Sequence, residues 1–138
     1  LNTVQKEFNK DIDILYSDCK FLDIDKLTTR KSNHNLLNIK MSIFHPSVFI
    51  RKSIYQRYGF FDSSLKISAD YKLLHFLYKK NKIFKKANDI LTVIRLGGVS
   101  TNSRLAIEET FEIQKNNSLF FAYVFKYLRL LKRSLKLI

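Results

Sequence analysis

Short apolar runs that alternate with helix-like patterns constrain the fold of this chain more than any other feature of its sequence. Strand-like runs occur at residues 11–18, 19–24, 48–50, 83–84 and 90–94, and helical spacing of apolar residues marks 52–58, 69–80 and a segment ending at 115. Strands that alternate with helices form layered structures. The pattern therefore predicts an α/β or α+β fold, in which helices flank a mixed sheet.

Composition limits the size and the class of the domain. A chain of 138 residues with 46% hydrophobic content can bury one core, which argues against a disordered tail and against a multidomain array. Three glycines are few for the phosphate-binding loops that nucleotide-binding α/β enzymes usually contain. The single cysteine, Cys19, excludes an internal disulfide framework and fits a reducing cytosol.

Turn-forming residues divide the middle of the chain. Residues 25–40 are polar and predict a long loop or a short irregular excursion. Gly59 ends the helix predicted over 52–58, and Asp62 can accept backbone N–H bonds in an Asx-turn. The next helix, over 69–80, carries a predicted buried stripe of Leu73, Leu74, Leu77 and Tyr78.

The two ends of the chain differ in character. Leu1, Val4 and Phe8 fall on one helical face with no N-cap before them, so we expect the chain to begin partway through a helix. The longest apolar run, at 119–125, is far shorter than the ~18–20 residues that a membrane-spanning helix needs.

Residues 116–138 predict a basic amphipathic helix. Apolar residues repeat at helical spacing, basic residues lie mostly on another face, and no acidic residue interrupts the segment. A helix of this kind can lie in the interface of an anionic membrane. We expect residues 119–138 to make such a peripheral membrane contact. Packing against its own domain, or against a domain outside this chain, explains the same pattern equally well.

The formal net charge of +13 raises the question of a nucleic-acid partner. Basic residues mix with aromatic ones in KKNKIFKK at residues 79–86, as in some nucleic-acid-binding surfaces. Lys nevertheless outnumbers Arg, and Arg has the better geometry for phosphates and base edges. Nucleic acid is therefore the partner that the sequence favours least.

Four ordered motifs resemble a known enzyme family. They are HPSVF at residues 45–49, YGFFD at 58–62, SADY at 68–71 and RLGGVS at 95–100. In this order and spacing they resemble the C-terminal half of bacterial family 2 glycosyltransferases, inverting enzymes of the GT-A type that build surface polysaccharides. NKDIDILYSD at 9–18 is similar to the segment that follows the metal-binding carboxylates of that family. The resemblance covers about residues 1–115.

The resemblance implies that residues 1–115 are the acceptor-side portion of a Rossmann-like GT-A domain. In the family, a preceding half contains the nucleotide-binding pocket and an Asp-x-Asp motif that holds a divalent cation, Mg²⁺ or Mn²⁺, on the sugar diphosphate. DID at residues 11–13 and at 23–25 imitates that motif. Strand alternation places the first pair of carboxylates on one solvent face, and the second pair lies in a turn. We interpret both as structural and expect the ligands of the cation outside this chain.

By resemblance, Asp70 is the general base that takes the proton from the acceptor hydroxyl. The first turn of a helix stabilises a carboxylate through its N–H groups and its macrodipole, which keeps Asp70 ionised near neutral pH. The same position suits an Asp that only caps the helix, and this interpretation stays open.

Five further residues are candidate substrate contacts by analogy. A following proline fixes the backbone of His45 and aims its imidazole into the cleft, although a lone His is more often structural. Gly97 and Gly98 allow a close backbone approach, and Arg95 can bind phosphate oxygens, or the three form an ordinary tight turn. Asp18, at the end of its strand, is expected to point toward the acceptor.

The expected function of the full-length parent is the transfer of a sugar from a nucleotide-sugar donor to a glycan or lipid-linked acceptor. The 138-residue chain alone is expected to be inactive, because it lacks the donor and metal site. The absence of Trp, and so of a Gln-x-x-Arg-Trp motif, separates it from the processive synthases. We expect a cytoplasmic location, free or peripheral at the inner face of the membrane. A noncatalytic module that binds nucleic acid or a membrane is the alternative.

Overall fold

Two small sheets and five α-helices form a mixed α/β structure in a computed structural model that describes residues 2–90, 92–95 and 104–135. In chain order the elements are α1 (Asn2–Glu7), β1 (Ile14–Tyr16), β2 (Cys19–Asp23), β3 (Lys26–Arg30), β4 (Val48–Ile50), α2 (Lys52–Tyr58), α3 (Ala69–Lys79), β5 (Phe84–Lys86), β6 (Thr92–Arg95), α4 (Arg104–Lys115) and α5 (Leu119–Leu135). Two short 3₁₀ turns, His34–Leu36 and His45–Ser47, lie between β3 and β4. The predicted alternation of strands and helices is confirmed.

The strands divide into two three-stranded sheets, where the sequence predicts one mixed sheet. The first has the order β4-β1-β5, and the second has the order β3-β2-β6. Each central strand pairs antiparallel with one neighbour and parallel with the other. The chain leaves the first sheet at the end of β1 and enters the second at Cys19, so residues 17–18 form the junction between the sheets.

The central strand β1 is buried on both faces. Ile14 and Tyr16 pack with the core-facing side chains of α3, including Leu74 and Leu77, and Leu15 packs on the other side with Phe8. The acidic residues at 11 and 13 precede β1, which begins at Ile14, and they are exposed and half-buried, respectively. The predicted solvent face is thus limited to these two residues, because α1 and the chain that follows it cover Leu15 within the strand.

Residues 25–40 are not a long loop, because their first part is a strand. β3 pairs antiparallel with β2, and Asp23 lies opposite Lys26 across a two-residue turn. Ile24 takes a φ of 50° in that turn and is 89% exposed. β-branched residues rarely adopt positive φ, and Asn or Gly usually marks such a turn, so the sequence contains no signal for it.

α2 has the end and α3 has the buried face that the sequence predicts. α2 ends at Tyr58, and Gly59 follows with a φ of 86°, which favours glycine. The Asx-turn is confirmed, since Oδ1 of Asp62 accepts the backbone N–H of Ser64 at 2.9 Å. α3 buries the predicted leucines, together with Tyr71 and His75.

α4 and α5 pack against each other at the C-terminal end of the chain. The rings of Phe111 and Tyr123 lie 4.9 Å apart between them, and Ala122 is the buried residue of α5. In the part of the chain that the structure describes, no helix is long and apolar enough to cross a membrane.

The strained turn leads to a stability prediction. Replacing Ile24→Asn should raise the free energy of unfolding by about 1 kcal/mol, because Asn tolerates positive φ and the exposed isoleucine packs on little. Thermal unfolding should show an increase of about 2–4 °C in Tm. The control is Leu27→Asn, an exposed apolar residue in the next strand. An equal or larger gain in Leu27→Asn would show that strain at residue 24 is not the cause.

Candidate functional site

A cavity of about 400 Å³ brings one acidic and two basic side chains together. Asp70 lies at the beginning of α3, His45 lies in the turn before β4, and Arg30 ends β3. Side chains from the second sheet, from residues 41–46, from the start of α3 and from α4 line the rest of the cavity. The arrangement joins one carboxylate with two possible cations at an opening to solvent.

Asp70 combines a helix N-terminus with partial burial. The backbone N–H of Tyr71 donates to its Oδ1 at 2.7 Å, a bond that also fits the capping interpretation. Burial raises the pKa of Asp70 above the usual aspartate value, against the opposing effects of the Tyr71 amide and of His45. The helix N-terminus alone predicts the opposite direction, so desolvation outweighs it. A raised pKa suits a carboxylate that must accept a proton.

Glu109 of α4 fixes the segment that leads into Asp70. Its carboxylate accepts three consecutive backbone N–H groups, from Lys66 at 2.8 Å, Ile67 at 3.0 Å and Ser68 at 2.7 Å. The side chain is buried, which raises its pKa, but the three amides outweigh burial and hold the pKa of Glu109 below its usual range. Sequence reasoning missed this residue. The available signal was an acidic residue on the apolar face of α4.

His45 is exposed at the rim of the cavity, and its backbone is firmly held. The hydroxyl of Ser47 donates to the carbonyl of Ser17 at 3.0 Å, and the hydroxyl of Thr92 donates to the carbonyl of Pro46 at 3.0 Å. The His45 ring meets the ring of Phe61 edge to face at 5.3 Å. These contacts attach the turn to the second sheet and to the junction between the sheets. The predicted contact of His45 with substrate stays a prediction.

Arg30 is a cavity residue that the sequence did not indicate. It is exposed, and its guanidinium lies 4.4 Å from the centre of the Phe21 ring, a cation–π contact within the second sheet. The interpretation of residues 25–40 as a loop gave no reason to place Arg30 near the cavity. In the hairpin, Arg30 pairs opposite Cys19 and lies at the cavity end of β3.

Asp18 is engaged in structural contacts at the junction of the sheets. Its Oδ1 accepts the backbone N–H of Ser32 at 2.6 Å and pairs with Nζ of Lys86 at 2.7 Å. Burial raises the pKa of Asp18, but these hydrogen bonds outweigh burial and hold the pKa below its usual range. Asp18 is not among the described residues that line the cavity. The predicted acceptor contact therefore has no support from its position.

The RLGGVS motif is described only in part. Arg95 ends β6 and is exposed, and among the described residues Ile94 lines the cavity while Arg95 does not. Side chains alternate along a strand, so these two neighbours point to opposite faces of the second sheet. Gly97 and Gly98 lie outside the described residues, and their predicted role stays a prediction.

The other histidines have structural partners. Nδ1 of His34 lies 2.7 Å from the hydroxyl of Tyr16, and its ring stacks on Phe84. Nε2 of His75 lies 2.6 Å from Nδ2 of Asn117. Burial lowers the pKa of both imidazoles.

The two DID segments do not form a metal site. Oδ2 of Asp13 accepts the backbone N–H of Ile83 at 3.0 Å, a structural role, and Asp23 and Asp25 lie on either side of Ile24 at the exposed hairpin turn. Within the ranges 2–90, 92–95 and 104–135, no group of three or more His, Cys, Asp or Glu side chains can hold a metal ion. The expectation that the ligands of the divalent cation lie outside this chain stays a prediction.

The basic run at 79–86 is divided among separate contacts. Lys85 pairs with Glu7 at 3.4 Å, Lys86 pairs with Asp18, and Lys80 and Lys82 lie over aromatic rings. These four lysines thus each have a partner within the chain, and a nucleic-acid partner stays untested.

Comparison with known proteins returned no match: no family model fits the sequence, no curated protein is detectably similar to it, and no solved structure matches it.

The Glu109 contacts predict a pH-dependent loss of stability in Glu109→Gln. A glutamine offers one acceptor oxygen and turns its NH₂ toward buried N–H groups, so we expect a loss of about 2–3 kcal/mol at neutral pH. Because the folded-state pKa of Glu109 is lowered, its contribution is complete above the usual glutamate pKa and is lost as pH falls through the folded-state pKa. Urea unfolding at several pH values should therefore show the two proteins converging in acid.

The adjacent residue provides the control for this measurement. Glu108 forms an exposed ion pair with Arg104 one helical turn away, so Glu108→Gln should change the free energy of unfolding by no more than about 0.5 kcal/mol. Equal effects of the two substitutions would contradict a specific role for the Glu109 carboxylate.

Proposed function

We propose that this chain forms the acceptor side of the active site of an inverting, GT-A-type glycosyltransferase, with Asp70 as the general base. One observation carries the proposal: a partly buried carboxylate with a raised pKa stands at a helix N-terminus on the wall of an open cavity. The order of the four motifs supports the same reaction class. The proposed donor is a nucleotide-sugar, and the proposed acceptor is a glycan or a lipid-linked glycan.

The proposed chemistry is one in-line displacement at the anomeric carbon. Asp70 takes the proton of the acceptor hydroxyl while the hydroxyl oxygen forms the new glycosidic bond to the anomeric carbon. The bond between the anomeric carbon and the diphosphate oxygen breaks, and its electron pair leaves with the diphosphate. The cationic groups of Arg30 and, when protonated, His45 stand on the same cavity. Positive charge at this place favours an anionic substrate group.

A second cavity supports an anionic acceptor. It has a volume of about 310 Å³ and shares Met41, Ala106 and Thr110 with the cavity of Asp70. Its other walls contain the cations Lys40, Arg129 and Lys132. A chain of positive charge thus leads from α5 toward Asp70, which suits an acceptor that carries a phosphate or diphosphate.

The role of Asp70 is tested by Asp70→Asn in the full-length protein. Asparagine keeps an oxygen for the Tyr71 amide but cannot take a proton, so sugar transfer should fall by about 10²–10⁴-fold while thermal stability changes little. In the unsubstituted enzyme, the rate should rise with pH through the raised pKa of Asp70 and then level off.

The control is Asp25→Asn, which removes an exposed carboxylate from the hairpin turn. It should leave sugar transfer unchanged. If Asp70→Asn keeps activity within a few-fold of the unsubstituted enzyme, Asp70 is a helix cap and not the base.

A further inference from the structure

The final helix turns most of its large apolar side chains to solvent and several of its cations toward the rest of the chain. Its inward side combines Ala122 and the half-buried Phe125 and Leu130 with these cations. Nη2 of Arg129 donates to the carbonyl of Ile39 at 3.3 Å, and Nζ of Lys126 lies 4.4 Å from the centre of the Phe111 ring. Burial lowers the pKa of Arg129, which is consistent with its inward position. Amphipathic helices normally turn their apolar face inward.

The outward face of α5 is apolar and large. Phe120 is 71% exposed, Tyr127 is 68% exposed and Leu135 is 65% exposed. Further exposed apolar residues at helical spacing complete this stripe, namely Val124, Leu128 and Leu131. With 17 residues, α5 is about 25 Å long, so the stripe runs along the length of the helix. Apolar surface of this extent on a helix indicates a binding surface.

The charge of α5 indicates which kind of partner its apolar stripe binds. Every charged residue of α5 is a cation, and the chain contains no acidic residue after Glu112. Two copies joined through α5 would bring their cations together with no carboxylate on either helix to pair with them. An anionic bilayer instead offers negative headgroups beside an apolar interior, which matches both features of the helix.

We infer that α5 is an interfacial helix that binds an anionic membrane surface. Its apolar stripe enters the boundary between headgroups and acyl chains, with the helix parallel to the bilayer plane. Lys132, exposed at the mouth of the second cavity, and Arg133, half-buried beside α4, add positive charge near the bilayer surface, and this charge attracts the anionic headgroups. Tyr127 lies at the level of the headgroups, where aromatic side chains with a polar end are enriched.

The test is binding of the chain to vesicles, measured by co-sedimentation at about 0.15 M salt. The chain should bind vesicles with about 30 mol% anionic lipid and should bind purely zwitterionic vesicles at least about tenfold more weakly. Lys132→Gln with Arg133→Gln should lower binding by about 30-fold, because each cation near the surface contributes a factor of about five. Raising the salt concentration should weaken binding in the same direction.

The apolar stripe is tested by Tyr127→Ser with Leu131→Ser, which should lower vesicle binding by at least about tenfold. The matched control is Ile83→Ser with Val93→Ser, which removes two exposed apolar side chains away from α5 and should leave binding unchanged. Circular dichroism should show that all three double variants are folded, since every substituted side chain is at least partly exposed.

Three results would overturn the inference. One is equal binding to anionic and zwitterionic vesicles, or no binding to either. Another is a concentration-dependent dimer that Tyr127→Ser with Leu131→Ser abolishes, which would assign the stripe to a second copy of the chain. The third is a salt-sensitive complex with single-stranded RNA in the absence of vesicle binding, which would assign the cations to nucleic acid. None of these results depends on sugar transfer, so the inference fails separately from the proposed function.

Discussion

The carboxylate of Glu109 meets three consecutive backbone N–H groups at residues 66–68, and the position of Asp70 depends on this contact. Buried N–H groups without acceptors each cost about 1–3 kcal/mol, so the segment has a strong preference for this one arrangement. α3 begins directly after the segment. The direction of α3, and with it the place of Asp70 on the cavity wall, is thereby tied to α4.

A second set of polar contacts extends this framework from α3 to the final helix. The hydroxyl of Tyr71 donates to the carbonyl of Leu37 at 2.7 Å, and Nε2 of Gln114 donates to that hydroxyl at 3.1 Å. Gln114 and Arg129 also both donate to the carbonyl of Ile39. The residue next to Asp70 is therefore connected, through residues 37–39, with α4 and α5. The proposed catalytic cavity and the proposed membrane helix belong to one packed unit.

Sequence reasoning succeeded where a feature is encoded locally. The buried stripe of α3, the end of α2 at Gly59 and the Asx-turn at Asp62 each depend on residues within one or two turns of chain. It failed where contacts between residues far apart in the chain determine the structure. Glu109 contacts amides more than 40 residues away, the hairpin turns at an isoleucine instead of a glycine, and Arg30 reached the cavity through that hairpin. The pKa of Asp70 followed burial by the tertiary structure, which a helix position alone does not reveal.

The most direct measurement is the pKa of the Asp70 carboxyl group, obtained by NMR titration of the ¹³C-labelled chain. The account predicts a pKa above that of an unperturbed aspartate, because burial on the cavity wall disfavours the charged form more than the helix N-terminus favours it. A pKa of Asp70 at or below the usual aspartate value would contradict its role as the general base, since it would describe a solvated helix cap and not a carboxylate prepared to accept a proton.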